Sequence, residues 1–155
     1  HGVMTALFFS IVGMVYDQTH TRDIASLGGL AKKMPFAAFG FIVAGLVSMG
    51  MPGLSGFIAE IPIYMGAWQV APIVAIIAII SIVITAAYIL LPIRRVFFGE
   101  LPAQFEGHIH DISRKDKFSI GILSLFMIGI GLVPQLMVPL IETGVNHILT
   151  LLGGS

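Results

Sequence analysis

Within the long apolar runs of this sequence one acidic side chain stands alone: Glu60, in GFIAEIPIY. Just ahead of it Gly50, Pro52, Gly53 and Gly56 cluster in MGMPGLSG. A carboxylate in a medium of low polarity is disfavoured in its charged form, so a Glu placed there can take up and release a proton. At the centre of a bilayer the charge costs about 2.5–3.5 kcal/mol on insertion scales, and ionisable residues at that depth mark ion or proton paths. His1 is the second candidate. It precedes an apolar run, with Thr5 one helical turn on, and an imidazole titrates near neutrality, which suits a proton shuttle. Ser81, Thr85 and Tyr88 recur at helical spacing within another apolar run. They place hydroxyls on one helix face, able to line a water chain or to bond a neighbouring helix. Ser48, just before the Gly/Pro cluster, has the same two uses. The loop group His108, His110 and Asp111 has types that bind metals, but its polar surroundings mark it as surface, and no metal site is expected.

These residues must be positioned by membrane elements. Hydrophobic residues make up 57% of the 155 positions and charged ones 10%, against roughly 25% charged in a soluble domain. A soluble fold of this size could not cover so much apolar surface. Eight basic residues balance eight acidic ones, so no electrostatic footprint for nucleic acid exists. Cysteine is absent, which excludes thiolate metal sites and Cys-ligated iron–sulfur clusters in this chain. No phosphate-binding glycine loop or catalytic triad is present, and no cofactor is expected. The chain opens on His1 inside an apolar run, which predicts the tail of a longer protein.

The pattern predicts an all-α membrane bundle forming a single domain. Residues 1–16 read as the end of a truncated helix, 35–70 as a long helix interrupted at 49–56, 71–93 and 118–133 as further helices, and 140–152 as an amphipathic tail. That tail, with Glu142, Asn146 and Thr150 on one face, suits a membrane interface or a neighbouring subunit. Proline and glycine break helices, so 35–70 is either two spans or one span broken in mid-membrane. Each half has about 15 residues, short of the roughly 20 that cross a bilayer. The basic residues give a second argument. Arg22, Lys32 and Lys33 lie in loop 17–34, and Arg94, Arg95, Arg114, Lys115 and Lys117 in loop 94–117. A single broken span puts both loops on one side and satisfies the positive-inside rule, making both cytoplasmic. Breaks of this kind are tolerated where the freed backbone faces protein or a water-filled cavity, and they often mark transport sites. Pro62 is expected in the first turn of the second half-helix, with Glu60 at or near that helix N-terminus.

The series HG at the start, THTRDI, LGGL with a basic pair, GMPGLSGFIAE and RRVFFG resembles the C-terminal third of the antiporter-like membrane subunits of respiratory complex I, the proton-pumping NADH:quinone oxidoreductase. The resemblance covers nearly the whole chain and weakens after RRVFFG. It implies a bundle of fourteen transmembrane helices built on inverted repeats, with 35–70 as the second broken helix. It places Glu60 on the charged position after the break, which is Glu in the M-type (subunit 4) branch and usually Lys elsewhere. It places His1 on the histidine of the central hydrophilic axis. The family's buried lysines lie upstream of this stretch, and Pro62 stands where an aliphatic residue is more usual. The function implied is proton translocation through the periplasm-facing part of a half-channel, in a bacterial plasma membrane. Partners would be the other membrane subunits and lipid, with quinone engaged only through other subunits. Two other readings keep the same residues: a cation/proton antiporter or membrane-bound hydrogenase subunit of the same fold, or a purely structural membrane subunit.

Overall fold

The computed structural model describes residues 1–153. Six α-helices follow one another: α1 Gly2–Thr19, α2 Pro35–Ser48, α3 Ser55–Val70, α4 Pro72–Pro92, α5 Arg114–Leu132 and α6 Val138–Leu151. No strand occurs among the described residues. A π turn, Ile93–Phe97, continues α4. The stretch Pro72–Phe97 is, among the described residues, the one helix long and apolar enough to cross a membrane.

α1 and α2 form an antiparallel pair, with Ile11 and Leu7 of α1 flanking Gly40 of α2. Ile120 of α5 closes on the same glycine, so three helices meet where one of them carries no side chain. Leu7, Ile11, Leu30, Met34, Phe97, Ile120 and Met127 are fully buried and form the centre of the core. Phe8 meets Phe41 edge to face and Phe97 meets it at a tilt, with ring centroids 4.8 and 5.2 Å from it.

The loops 17–34 and 94–117 lie at one end of the bundle and are bonded together. Gly29 N–H donates to the Phe98 carbonyl at 3.1 Å, and His110 N–H donates to Gln18 Oε1 at 3.1 Å. Gly28 and Gly29 sit against the backbone of Glu100 and Leu101 so closely that a side chain at either would collide with it. Phe105, Ile109 and Ile112 turn inward from the second loop and are buried. Both sets of basic residues therefore share one end of the bundle.

α5 starts from this end with a capping box: Ser113 Oγ accepts from Asp116 N–H, and the Asp116 carboxylate accepts from Ser113 N–H. This arrangement satisfies donors that a helix start otherwise leaves open. α5 begins four residues before the expected 118. Asp111 of the HxHD group is taken by Lys117, with which it forms an ion pair, and it also accepts from Ile112 N–H. At the opposite end α3 and α4 form a hairpin joined by Ala71, with Pro72 opening α4 where its missing N–H is no loss. α6 is exposed along its whole length.

Candidate functional site

The site is built around the interruption between α2 and α3. α2 ends in a Schellman arrangement: Gly50 takes a φ of 65°, its N–H donates to Val47 O at 3.1 Å, and Met51 N–H donates to Leu46 O at 3.0 Å. The left-handed residue at this position is usually glycine, because a Cβ is strained there. Next comes a tight turn, Met51–Pro52–Gly53–Leu54, with Leu54 N–H donating to Met51 O at 3.1 Å and Gly53 at φ 88°. Proline followed by a positive-φ glycine is the type II signature. The cluster Gly50, Pro52, Gly53 thus closes one helix and turns the chain into the next.

Gly56 serves a different purpose. It lies in the first turn of α3 and rests on the Val47 carbonyl, leaving no room for a Cβ. Gly131 of α5 presses in the same way on Gly53 and Leu54. The interruption is therefore clamped by backbone on both sides. The N–H groups of Gly50, Met51 and Leu54 are met by the turn bonds, the kind of pairing that an irregular backbone needs away from water.

α3 starts at Ser55, earlier than expected. Pro62 is inside the helix, not in its first turn, and Glu60 is well past the N-terminus. The expectation from Pro62 is corrected: the turn at Met51–Leu54 sets the start of α3, and the proline is carried within it. There Pro62 removes the N–H that would bond the Ile58 carbonyl.

The Glu60 side chain folds back toward the interruption. Its Oε2 lies so close to Gly50 that a Cβ there would stand 2.5 Å away. Tyr64, one helical turn on, donates its hydroxyl to the same oxygen at 3.3 Å. Glu60 also lines a cavity of about 600 Å³, bounded by His1, Ser48, Ser55 and Gly56 and, on the apolar side, by Phe126, Met127 and Ile130. The first turns after α5, at Pro134, Met137 and Val138, form another wall.

The structure thus brings Glu60, His1 and Ser48 to one cavity. His1 is at the start of α1 and exposed, and its carbonyl accepts from Thr5 N–H at 2.9 Å. Thr5 is partly buried but outside the cavity lining. Ser81, Thr85 and Tyr88 are not brought there. The Ser81 and Thr85 hydroxyls donate to their own helix, to Ala78 O at 2.6 Å and Ser81 O at 3.2 Å. Tyr88 is exposed on α4. Tyr64 escaped sequence reasoning, although its spacing of four from Glu60 was available as a signal. Gly131 escaped it too.

An α-helical bundle with a helix stopped part-way, resumed after a backbone-clamped turn and carrying a lone carboxylate beside a cavity has the architecture of the broken-helix class of membrane proteins. The particular family follows from sequence. The family described as NADH:quinone oxidoreductase/Mrp antiporter, TM, matches residues 1–85, and the chain belongs to it. It is an integral membrane protein. Among its relatives is NADH-quinone oxidoreductase subunit M of Rickettsia felis, 37% identical over 149 residues, a match covering 96% of this chain and 30% of that protein. The chain thus spans under a third of that relative. Among solved structures it is similar to a chain of respiratory complex I from Thermus thermophilus with bound NADH. That match has a TM-score of 0.72 and 30% identity, and covers 80% of this chain and 26% of the other. A chain of the Mrp complex from Dietzia sp. shares the fold, with a TM-score of 0.77 at 21% identity, covering 87% of this chain and 33% of that one.

Proposed function

We propose that this chain is part of an M-type, proton-translocating membrane subunit of NADH:quinone oxidoreductase, and that it supplies the periplasm-facing part of a proton half-channel. The observation that carries this reading is the shared cavity: His1 and Glu60, from α1 and α3, face the same space beside the helix interruption. An imidazole and a carboxylate are the two side-chain types best suited to hand on a proton near neutral pH. His1 passes protons from the membrane axis toward Glu60, and Glu60 exchanges them with the outer side. Ser48 lends a hydroxyl to the same space.

The chain takes no part in electron transfer. Energy from quinone reduction reaches it through the neighbouring membrane subunits, which are its partners together with lipid. Quinone is engaged only through other subunits, and no cofactor is held here. The membrane is the bacterial plasma membrane, with loops 17–34 and 94–117 on the cytoplasmic side, as their basic residues favour.

The test is Glu60→Gln in the full complex, with proton translocation and NADH oxidation measured in the same vesicles. The expected result is proton uptake reduced by an order of magnitude or more, since Gln cannot carry a proton. Unchanged pumping and turnover would leave Glu60 a structural residue.

A further inference from the structure

The contacts of Glu60 are unequal between its two oxygens. Oε2 is held from two directions. Gly50 of the interruption approaches it on one side, and the Tyr64 hydroxyl donates to it at 3.3 Å on the other. Oε1 stands farther from Gly50, 3.7 Å from the position of a Gly50 Cβ. Tyr64 is half-buried and lies on the same face of α3 as Glu60, four residues on. The carboxylate is thus drawn toward Gly50 and Tyr64 through one of its oxygens.

We propose that Tyr64 is a positioning residue for Glu60: its phenol draws the carboxylate back over α3 and against Gly50, and so fixes where Glu60 sits at the wall of the cavity that His1 also lines. A glutamate has three side-chain torsions, and without a partner it would sample several directions. A donor on the next turn selects one of them. The bond is long for an O–H···O contact, whose usual range ends near about 3.0 Å. A weak bond of this kind suits a partner that must let the carboxylate move when its charge changes. Of the other α3 residues that line the cavity, Ile58, Ala59 and Ile63 have no side-chain donor, and the Ser55 hydroxyl is not bonded to Glu60. Among the described residues Tyr64 is the one side chain bonded to Glu60.

This inference rests on the relay reading for its effect on pumping, but its structural half is independent of that reading. The test is Tyr64→Phe in the full complex, compared with Glu60→Gln and with both substitutions together. Phe keeps the ring and removes only the donor. The first measurement is the infrared carboxyl band of Glu60, identified by its loss in Glu60→Gln. Tyr64→Phe is expected to move this band and to lower proton translocation about three- to tenfold, as loss of one ordinary hydrogen bond would. Adding Tyr64→Phe to Glu60→Gln is expected to change nothing further. A band that stays in place in Tyr64→Phe overturns the positioning role, whatever happens to pumping. A band that moves while Glu60→Gln still pumps at the full rate upholds the positioning role and removes the relay reading instead.

Discussion

Glu60 Oε2 lies against the backbone of Gly50, at a point where a Cβ on residue 50 would be only 2.5 Å away. The residue that ends α2 therefore limits where the carboxylate of α3 can sit. Gly53, three residues on, also has a positive φ, but a Cβ there would meet only Leu132 at 4.0 Å. The two positions separate backbone strain from displacement of Glu60. Gly50→Ala and Gly53→Ala should each destabilise the subunit by about 1–2 kcal/mol, the cost of a Cβ in the left-handed region. Only Gly50→Ala should also lower proton translocation relative to NADH oxidation. Thermal stability of the purified complex and pumping in vesicles measure the two effects. Equal pumping in both variants would show that Glu60 is indifferent to Gly50.

Gly131 predicts a sharper contrast. It has no room for a Cβ, because the neighbouring atoms belong to the backbone of Gly53 and Leu54 and cannot rotate away. Gly129, two residues earlier and on nearly the opposite face of α5, has nothing within 4 Å of the same position. Gly131→Ala should force α5 off the interruption and reduce the assembled complex severalfold. Gly129→Ala should be neutral or stabilise α5 by about 0.5–1 kcal/mol, since Gly is a poor residue for a helix interior. Native-gel quantification of the assembled complex checks both. Normal assembly of Gly131→Ala would mean that α5 does not clamp the break.

These glycines also show where sequence reasoning stops. Glu60 was legible because a charge among apolar residues has few explanations. The interruption was legible because Gly50, Pro52 and Gly53 each disfavour a helix by a local mechanism. Basic residues confined to 17–34 and 94–117 made a common end for the two loops legible, and the loops are bonded together there. Pro62 misled because the preference of proline for a first turn is local, whereas the start of α3 is set by the turn at Met51–Leu54 and by contact with Val47. The face of Ser81, Thr85 and Tyr88 was correctly spaced, yet spacing cannot say what a face points at. Packing turned it away from the cavity. Gly131 was illegible for the same reason: a glycine in an apolar helix announces nothing until its neighbour is known.

The sidedness of the two basic loops gives the last prediction. The chain contains no cysteine, so a single introduced thiol in this stretch reports its own position, given a full-length protein otherwise free of reactive thiols. Gln104 lies exposed in the second basic loop, and Gln69 lies exposed near the α3–α4 link at the other end of the bundle. α4 between them has 21 residues, about 31 Å at 1.5 Å per residue, enough to cross the hydrocarbon core. Gln104→Cys should react with a membrane-impermeant maleimide only when the cytoplasmic face is open to it. Gln69→Cys should react only from the opposite face. Lys32→Cys, in the first loop, should follow Gln104→Cys, because Gly29 is bonded to Phe98 and the two loops form one surface. If Lys32→Cys were instead labelled together with Gln69→Cys, 35–70 would cross the membrane twice, and Glu60 would no longer lie in a broken span.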